Sequence, residues 1–290
     1  MKTFHTVAFQ YKPGGGNPCP VTVGADDLST EQMQKMAYGF QQECAFLLKP
    51  VNPGCDVKAR YFVPLHEMEM CVHATVASAM VLVDQGLVDH SPIVFDSHYG
   101  PMPVSWEKKD GEIRVQVEQG LPRFQSKRPT AEELCQVLGI PQEALGKGPV
   151  EGVATSRFKL LVPLARPYWV DHVKPDFPAL WKLCDACEVT GFYIFAPESE
   201  TADNTVFHAR QFPNHSGYNE DPATGVAASA LGSYLVQHRL VPVQEGWNQC
   251  TIYQGEAMGR PSIIRAATLV EDGKITRTCV GGSACYEKEV

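Results

Sequence analysis

Three side chains in this sequence have the chemistry to move a proton on and off carbon. Glu43 lies in Gln42-Glu43-Cys44-Ala45-Phe46, at the start of an apolar run. A carboxylate beside phenylalanine and leucine is partly desolvated, which raises its pKa toward neutrality. Such a group can take a proton and return it. Asp221 lies on a turn, Asn219-Glu220-Asp221-Pro222-Ala223-Thr224-Gly225, ahead of a run of small residues. His73 opens a similar run in Cys71-Val72-His73-Ala74-Thr75. The positive pole of a helix start disfavours imidazolium, so a neutral His73 there is placed to donate a hydrogen bond. Taken singly, each also reads as a structural residue. Glu43 reads as an exposed carboxylate at a strand edge, Asp221 as a helix cap on a surface turn, and His73 as a satisfied residue at a helix start.

Other chemistries find less support. The ten cysteines are scattered through a chain long enough to fold without staples, and they read as reduced thiols of a cytoplasmic protein. Cys184-Asp185-Ala186-Cys187 has the spacing of half a zinc site, but no second pair matches it, and two thiols on one helical turn is the simpler account. His66-Glu67 begins like a zinc-protease helix, yet Met70 stands where the second histidine is required. No metal site is therefore expected. A net charge of -8 argues against a nucleic-acid surface and goes with no polybasic membrane stretch. The opening Met1-Lys2-Thr3-Phe4-His5-Thr6-Val7 is too short and polar for a signal peptide. No apolar run is long enough to span a bilayer.

The elements that must position these residues are mostly short strands. Strands are predicted over 3–10, 20–23, 43–48, 57–62, 93–95, 103–106 and 113–117. A helix begins at Ser29, with Gln32 closing a capping box and Met33, Met36, Ala37 and Phe40 on one face. Gly120-Leu121-Pro122 reads as a crossing between domains. Thr130 caps a second helix that Gly139 stops, with Glu133 in the capping box. Strands at 153–155 and 159–163, a helix over 178–186, and strands at 191–196 and 206–212 follow, with later turns at Gly246 and Asp272-Gly273. Regular strand–helix alternation, a G-x-G-x-x-G loop and a phosphate loop are all missing, which argues against a Rossmann fold.

One plan recurs in both halves. Ala77-Ser78-Ala79-Met80 overlays Ala228-Ser229-Ala230-Leu231, and Leu87-Val88 overlays Leu240-Val241 after a small gap. Each copy feeds a polar turn into the N-terminus of a buried, small-residue helix. Such an end has unpaired N–H groups and suits an anion. The expected fold class is α+β: two pseudo-symmetric barrel-like domains, each many short strands around a central helix. The first comprises 1–119, completed by a strand at 281–290, and the second comprises 120–280. Two facing helix starts would hold a small carboxylate between the domains.

The ordered set Gly16-Asn17-Pro18, Glu43-Cys44-Ala45-Phe46, Cys71-Val72-His73-Ala74-Thr75, Glu220-Asp221-Pro222-Ala223-Thr224-Gly225, Gln254-Gly255 and Met258-Gly259-Arg260-Pro261 resembles the PhzF family of phenazine biosynthesis-like proteins. The resemblance implies a fold like that of diaminopimelate epimerase, no cofactor, a homodimer, and an active site in the cleft between domains. The phenazine enzyme of that family isomerises a dihydro-hydroxyanthranilate by moving a proton between ring carbons. By the same resemblance Glu43 is the proton shuttle, with His73 and Asp221 beside it. The amides at Val72 to Ala74 and at Gly225 and Val226 would hold the substrate carboxylate, and Asn17, Thr224, Gln254 and Gly255 complete the binding set. Two positions depart from the family pattern: Val72 replaces a glycine, and Val226 replaces a serine or asparagine. These departures point to the same chemistry on a different small acid.

Two other readings stay open. A two-cysteine racemase of related fold needs a thiol at each helix start; Cys71 serves the first, but no cysteine lies between Cys187 and Cys250 to serve the second. A non-catalytic protein that binds a small acid in the same fold is favoured by Val72 and Val226.

Overall fold

The computed structural model describes residues 1–98, 100–214 and 216–287. The chain divides into two compact units: the described residues of Met1–Glu118 with Gly281–Val290, and those of Gln119–Val280. Residues 288–290 of the expected closing strand lie outside the described residues.

In the first unit β1 (Lys2–Ala8) and β2 (Asn17–Val23) pair antiparallel. Helix α1 (Thr30–Phe40) crosses to β3 (Cys44–Leu48), which lies parallel to β2, and β4 (Val57–Phe62) runs antiparallel to β3. A two-residue strand, β5 (Glu67–Met68), precedes α2 (Val72–Asp84), which crosses to β6 (Ile93–Ser97), parallel to β4. The strands β7 (Gly100–Lys109) and β8 (Glu112–Gln119) continue antiparallel.

The second unit opens with β9 (Arg123–Gln125), α3 (Ala131–Leu138), β10 (Glu151–Ala154) and β11 (Lys159–Pro163). Helices α4 (Pro167–His172) and α5 (Phe177–Cys187) cross to β12 (Gly191–Pro197), parallel to β11. Strand β13 (Val206–Pro213) is antiparallel to β12; α6 (Gly225–Gln237) then crosses to β14 (Gly246–Gln254), parallel to β13. Last come β15 (Ser262–Glu271) and β16 (Lys274–Tyr286), joined by Asp272-Gly273 with positive φ at both residues. That is the two-residue hairpin geometry whose twist matches its strands.

The two units thus share one connectivity: parallel, antiparallel, parallel, antiparallel, with the small-residue helix in the second crossover. The first closes into an eight-stranded barrel, β1-β2-β3-β4-β6-β7-β8-β16, because the end of β16 pairs with β1 (Thr6 opposite Tyr286, Ala8 opposite Ala284). Closure brings β16 so near β8 that a Cβ on Gly281 would lie 1.9 Å from the Val115 carbonyl oxygen.

Helix α2 is buried continuously from Val72 to Val83 and packs on β1, β2 and β3. Helix α6 is almost as fully buried and packs on β10, β11, β14 and β15. A helix apolar on every side has no solvent face and belongs inside. Small side chains are what let it fit: a Cβ on Gly232 of α6 would already lie 2.9 Å from the Ala266 Cβ of β15. The helices outside are amphipathic. Met33 and Ala37 of α1 bury against β3 and β4, where Phe46 and Phe62 meet edge-to-face at 5.5 Å. Among the described residues no helix is long and apolar enough to cross a membrane.

The capping boxes at Ser29 and Thr130 form, and Gly139 ends α3 with φ 65. Gly120-Leu121-Pro122 joins β8 to β9 just past the division after Glu118, and the Gly120 carbonyl accepts from Thr278 Oγ1 at 2.9 Å. Three readings change. Helix α4, begun by Pro167, escaped notice because six residues give too little periodicity to read. Gly246 opens β14 itself and is not a separate turn. The repeat also registers differently. The helix bounds pair Val72 with Gly225 and Asp84 with Gln237, and the same shift pairs Leu87-Val88 with Leu240-Val241 without a gap. The Ala-Ser-Ala overlay lies two residues out of this register, because small-residue runs match one another by composition alone.

Candidate active site

The chemistry of the first unit gathers at the start of α2. Cys71 is its N-cap residue, in extended conformation and without a side-chain capping bond. The first helical bond runs from the Thr75 amide to the Cys71 carbonyl at 2.9 Å, so the amides of Val72, His73 and Ala74 have no partner within the helix. Thr75 Oγ1 donates to the same carbonyl at 2.8 Å. With its single proton so engaged, it accepts from the buried Tyr61 OH of β4 at 2.7 Å. The helix start is therefore pinned to the barrel wall by Tyr61 and Thr75.

Glu43 immediately precedes β3, and that strand carries it to this helix start. Its Oε2 lies 3.5 Å from His73 Nε2, with the Glu43 side chain 20% and the His73 side chain 6% exposed. Cys71 Sγ joins the pair, donating to Glu43 Oε2 at 3.3 Å and lying 3.3 Å from His73 Nδ1. Burial holds His73 below the ordinary histidine value, against the opposing pull of Glu43. Burial, with Glu43 and Cys19 adding to it, pushes the Cys71 thiol well above its ordinary value. Burial and Glu43 likewise push Cys44 up to about 12. The helix start thus presents a neutral imidazole, a protonated thiol and one partly exposed carboxylate.

The second unit builds a comparable helix start at α6, capped at Thr224, again without a side-chain capping bond. Of the acidic pair, Glu220 is engaged by Arg210, whose Nε and Nη2 both donate to its carboxylate at 2.8 Å. Asp221 is held differently: its amide donates to Gln211 O at 3.2 Å, and Thr224 Oγ1 donates to its Oδ2. Gln254, at the end of β14 and 1% exposed, ties this turn together. Its Nε2 donates to the Asp221 carbonyl at 2.7 Å and to Thr224 Oγ1 at 3.1 Å. Its Oε1 accepts from Tyr193 OH at 3.0 Å and from the Thr224 amide at 3.2 Å. All four hydrogen-bonding positions of that amide are filled. Gln254 acts on this site by fixing the Asp221–Thr224 turn. Gly255 follows at φ 80, and a Cβ there would lie 2.4 Å from Arg260 O and 2.7 Å from Pro222 O, so the turn requires glycine.

The structure thus brings Glu43 to His73, and Asp221 to Thr224 and Gln254. Asn17 is buried in β2 opposite Ala8; Val72 and Ala74 are buried in the first turn of α2, and Gly225 and Val226 open α6. The Cys184–Cys187 pair shares helix α5. Glu67 sits on a strand, where it pairs with Arg60 at 2.6 Å. In the second unit the residues around the α6 start, Ala223 to Val226, include no cysteine. Sequence reasoning did not find Tyr61, Tyr193 or Arg210, whose partners lie 10 to 61 residues away along the chain. No local pattern marks such residues.

Residues 6–290 match the family described as phenazine biosynthesis-like protein (PhzC-PhzF). The chain is 30% identical to the uncharacterized isomerase YddE of Escherichia coli (strain K12), across 98% of this chain and 95% of that protein. It is 29% identical to the trans-2,3-dihydro-3-hydroxyanthranilate isomerase of Pseudomonas aeruginosa, across 95% of this chain and 93% of that enzyme. A crystal structure of the Bacillus anthracis phenazine biosynthesis protein of the PhzF family superposes with a TM-score of 0.88 at 26% identity, covering 99% of this chain and 98% of that one.

Proposed function

The chain belongs to the PhzC-PhzF family of phenazine biosynthesis-like proteins, and on that premise we propose that it is an isomerase that moves a proton between carbons of a small amino or hydroxy acid. Glu43 takes the proton from one carbon and returns it to another. The observation that carries this reading is the Glu43 carboxylate, partly exposed and 3.5 Å from a buried imidazole, at a helix start whose first amides lack helical partners.

The roles follow from the chemistry of each group. Glu43 is the base and then the acid. His73, kept neutral by burial, donates a hydrogen bond to the negative charge that develops as the proton leaves carbon. Amides at the first turn of α2 suit the substrate carboxylate, and Gly225 and Val226 open a comparable helix start in the second unit. Asp221, fixed by Thr224 and Gln254, orients an amino or hydroxyl group. Every step uses only side chains and amides of the chain. Val72 and Val226 narrow the approach and remove a side-chain donor, so the preferred acid differs from the dihydro-hydroxyanthranilate of the Pseudomonas aeruginosa relative.

The test is solvent exchange. The protein is incubated in D2O with that dihydro-hydroxyanthranilate and with a panel of small amino and hydroxy acids, and deuterium at carbon is read by NMR and mass spectrometry. We expect one class of acid to gain deuterium at carbon. Glu43→Gln should slow that exchange by roughly 10²–10⁴-fold, the usual contribution of a positioned acid–base group. Exchange at the wild-type rate in Glu43→Gln would overturn the assignment.

A further inference from the structure

The buried Cys71 thiol takes no part in the steps above. Its sulfur lies 3.3 Å from His73 Nδ1 and 3.7 Å from Nε2, alongside the imidazole ring and off the in-plane lone pair of either nitrogen. Its proton is directed instead at Glu43 Oε2, 3.3 Å away. We propose that Cys71 is a positioning residue: its S–H donates to the Glu43 carboxylate and holds that group at the start of α2, in the geometry from which Glu43 exchanges a proton with carbon. The hold on Glu43 stands on the geometry, whereas its use in proton transfer rests on the isomerase reading.

The donor is fixed before the acceptor is. Cys71 makes no side-chain capping bond to α2. Its backbone is anchored: the Cys71 carbonyl accepts from the Thr75 amide at 2.9 Å and from Thr75 Oγ1 at 2.8 Å, and Tyr61 OH donates to that hydroxyl from β4. Glu43 has a long side chain that is partly exposed. Holding such a chain in one rotamer costs entropy, and a bond from a fixed donor supplies the order before substrate arrives. Burial also keeps the proton on sulfur, since together with Glu43 and Cys19 it pushes the thiol well above its ordinary value. A thiolate there would repel the carboxylate, whereas the thiol attracts it. A hydrogen bond to the charged form favours that form, and the ionised carboxylate is the form that accepts a proton from carbon. Cys71 keeps its proton throughout and forms no bond to substrate.

Cys71→Ala removes the donor, and Cys71→Ser restores one, because a hydroxyl also donates to a carboxylate. In the D2O exchange assay on the full-length chain, Cys71→Ala should lower the maximal rate roughly tenfold, the scale of one hydrogen bond to a charged group, with KM unchanged. Cys71→Ser should recover most of that rate. The pH at which exchange reaches half its plateau should rise by roughly half to one unit in Cys71→Ala. Two measurements need no substrate. The carboxylate-carbon NMR titration of Glu43, assigned by its loss in Glu43→Gln, should show the same upward shift in Cys71→Ala. The S–H infrared stretch, assigned by its loss in Cys71→Ser, should move to higher frequency in Glu43→Gln, where the acceptor is uncharged. Cys184→Ala, which removes a buried thiol of α5, should move neither. The positioning role is overturned if Cys71→Ala leaves the pH profile and the Glu43 titration unmoved, or if alanine and serine slow exchange equally, as lost packing alone would do. Should Cys71→Ala not fold, an S–H stretch unmoved by Glu43→Gln overturns it. Failure of the isomerase reading looks different: Glu43→Gln then exchanges at the wild-type rate, while the Glu43 titration in Cys71→Ala still supports or overturns the hold on the carboxylate. Exchange lost in Glu43→Gln but unaffected in Cys71→Ala overturns the positioning role and leaves the isomerase standing.

Discussion

Replacing Gln254 by leucine should loosen the turn that holds Asp221, by an amount that can be worked from its bonds. Leucine has similar volume and forms none of the four hydrogen bonds. The Tyr193 hydroxyl, fully buried, loses its acceptor, and so does the partly buried Thr224 amide. An orphaned buried polar group costs about 1–3 kcal/mol, so Gln254→Leu should cost about 2–5 kcal/mol. Tyr193→Phe alone should cost about 1 kcal/mol, since it removes one hydrogen bond and leaves Gln254 its other partners. In the Gln254→Leu background the same change should reverse sign, because it deletes the orphaned hydroxyl. Urea titrations compared at constant slope give the cycle, and amide exchange at Thr224 and Gly225 reads the turn itself. Simple additivity of the two substitutions would refute the reasoning. So would a Gln254→Leu cost below about 0.5 kcal/mol, too small for a network whose groups are truly out of water.

Two further perturbations follow from packing and protonation. Gly39→Ala in α1 meets nothing within 4 Å, whereas Gly232→Ala in α6 brings a Cβ to 2.9 Å from Ala266. Thermal melts should therefore show a gain of about 0.5 kcal/mol for the first and a loss of about 1–3 kcal/mol for the second, although both gain the same helix propensity. His73 and His208 should titrate on opposite sides of the ordinary histidine value in an NMR pH series. His208 is raised chiefly by its hydrogen bond to Glu256, and His73 is lowered by burial. For His208, the added stability is full below the unfolded pKa and is lost as pH rises through the folded one. For His73 the loss comes as pH falls below the unfolded pKa, because the unfolded chain takes a proton that the folded site refuses. His208→Gln should remove the first dependence and His73→Asn the second.

Much of the architecture was written locally. The capping boxes at Ser29 and Thr130 satisfy amides within three residues, so a short window contains the whole signal. The two small-residue runs announced enclosed helices, since a helix without a polar side has no place at the surface. The register of the repeat was not legible in the same way: runs of alanine and serine match at several offsets, and only the helix bounds choose among them. Cys71 was visible beside His73, but its contact with Glu43 depends on where β3 delivers a residue 28 positions earlier. Gln254 carried a family motif yet gave no sign that its amide would be wholly occupied by Tyr193, Thr224 and Asp221.

The sequence by itself determined the secondary structure near its caps, the presence of two enclosed helices and the family; the acid–base roles of Glu43, His73 and Asp221 are the proposal that the exchange assay tests. Tertiary structure alone decided which of these groups touch, which amides and carbonyls remain at each helix start, and which protonation states burial imposes. The division has a physical cause. Capping and hydrophobic periodicity act over one or two turns of chain, whereas burial and hydrogen-bond partnership are set by residues that meet only when the strands have closed around the helices.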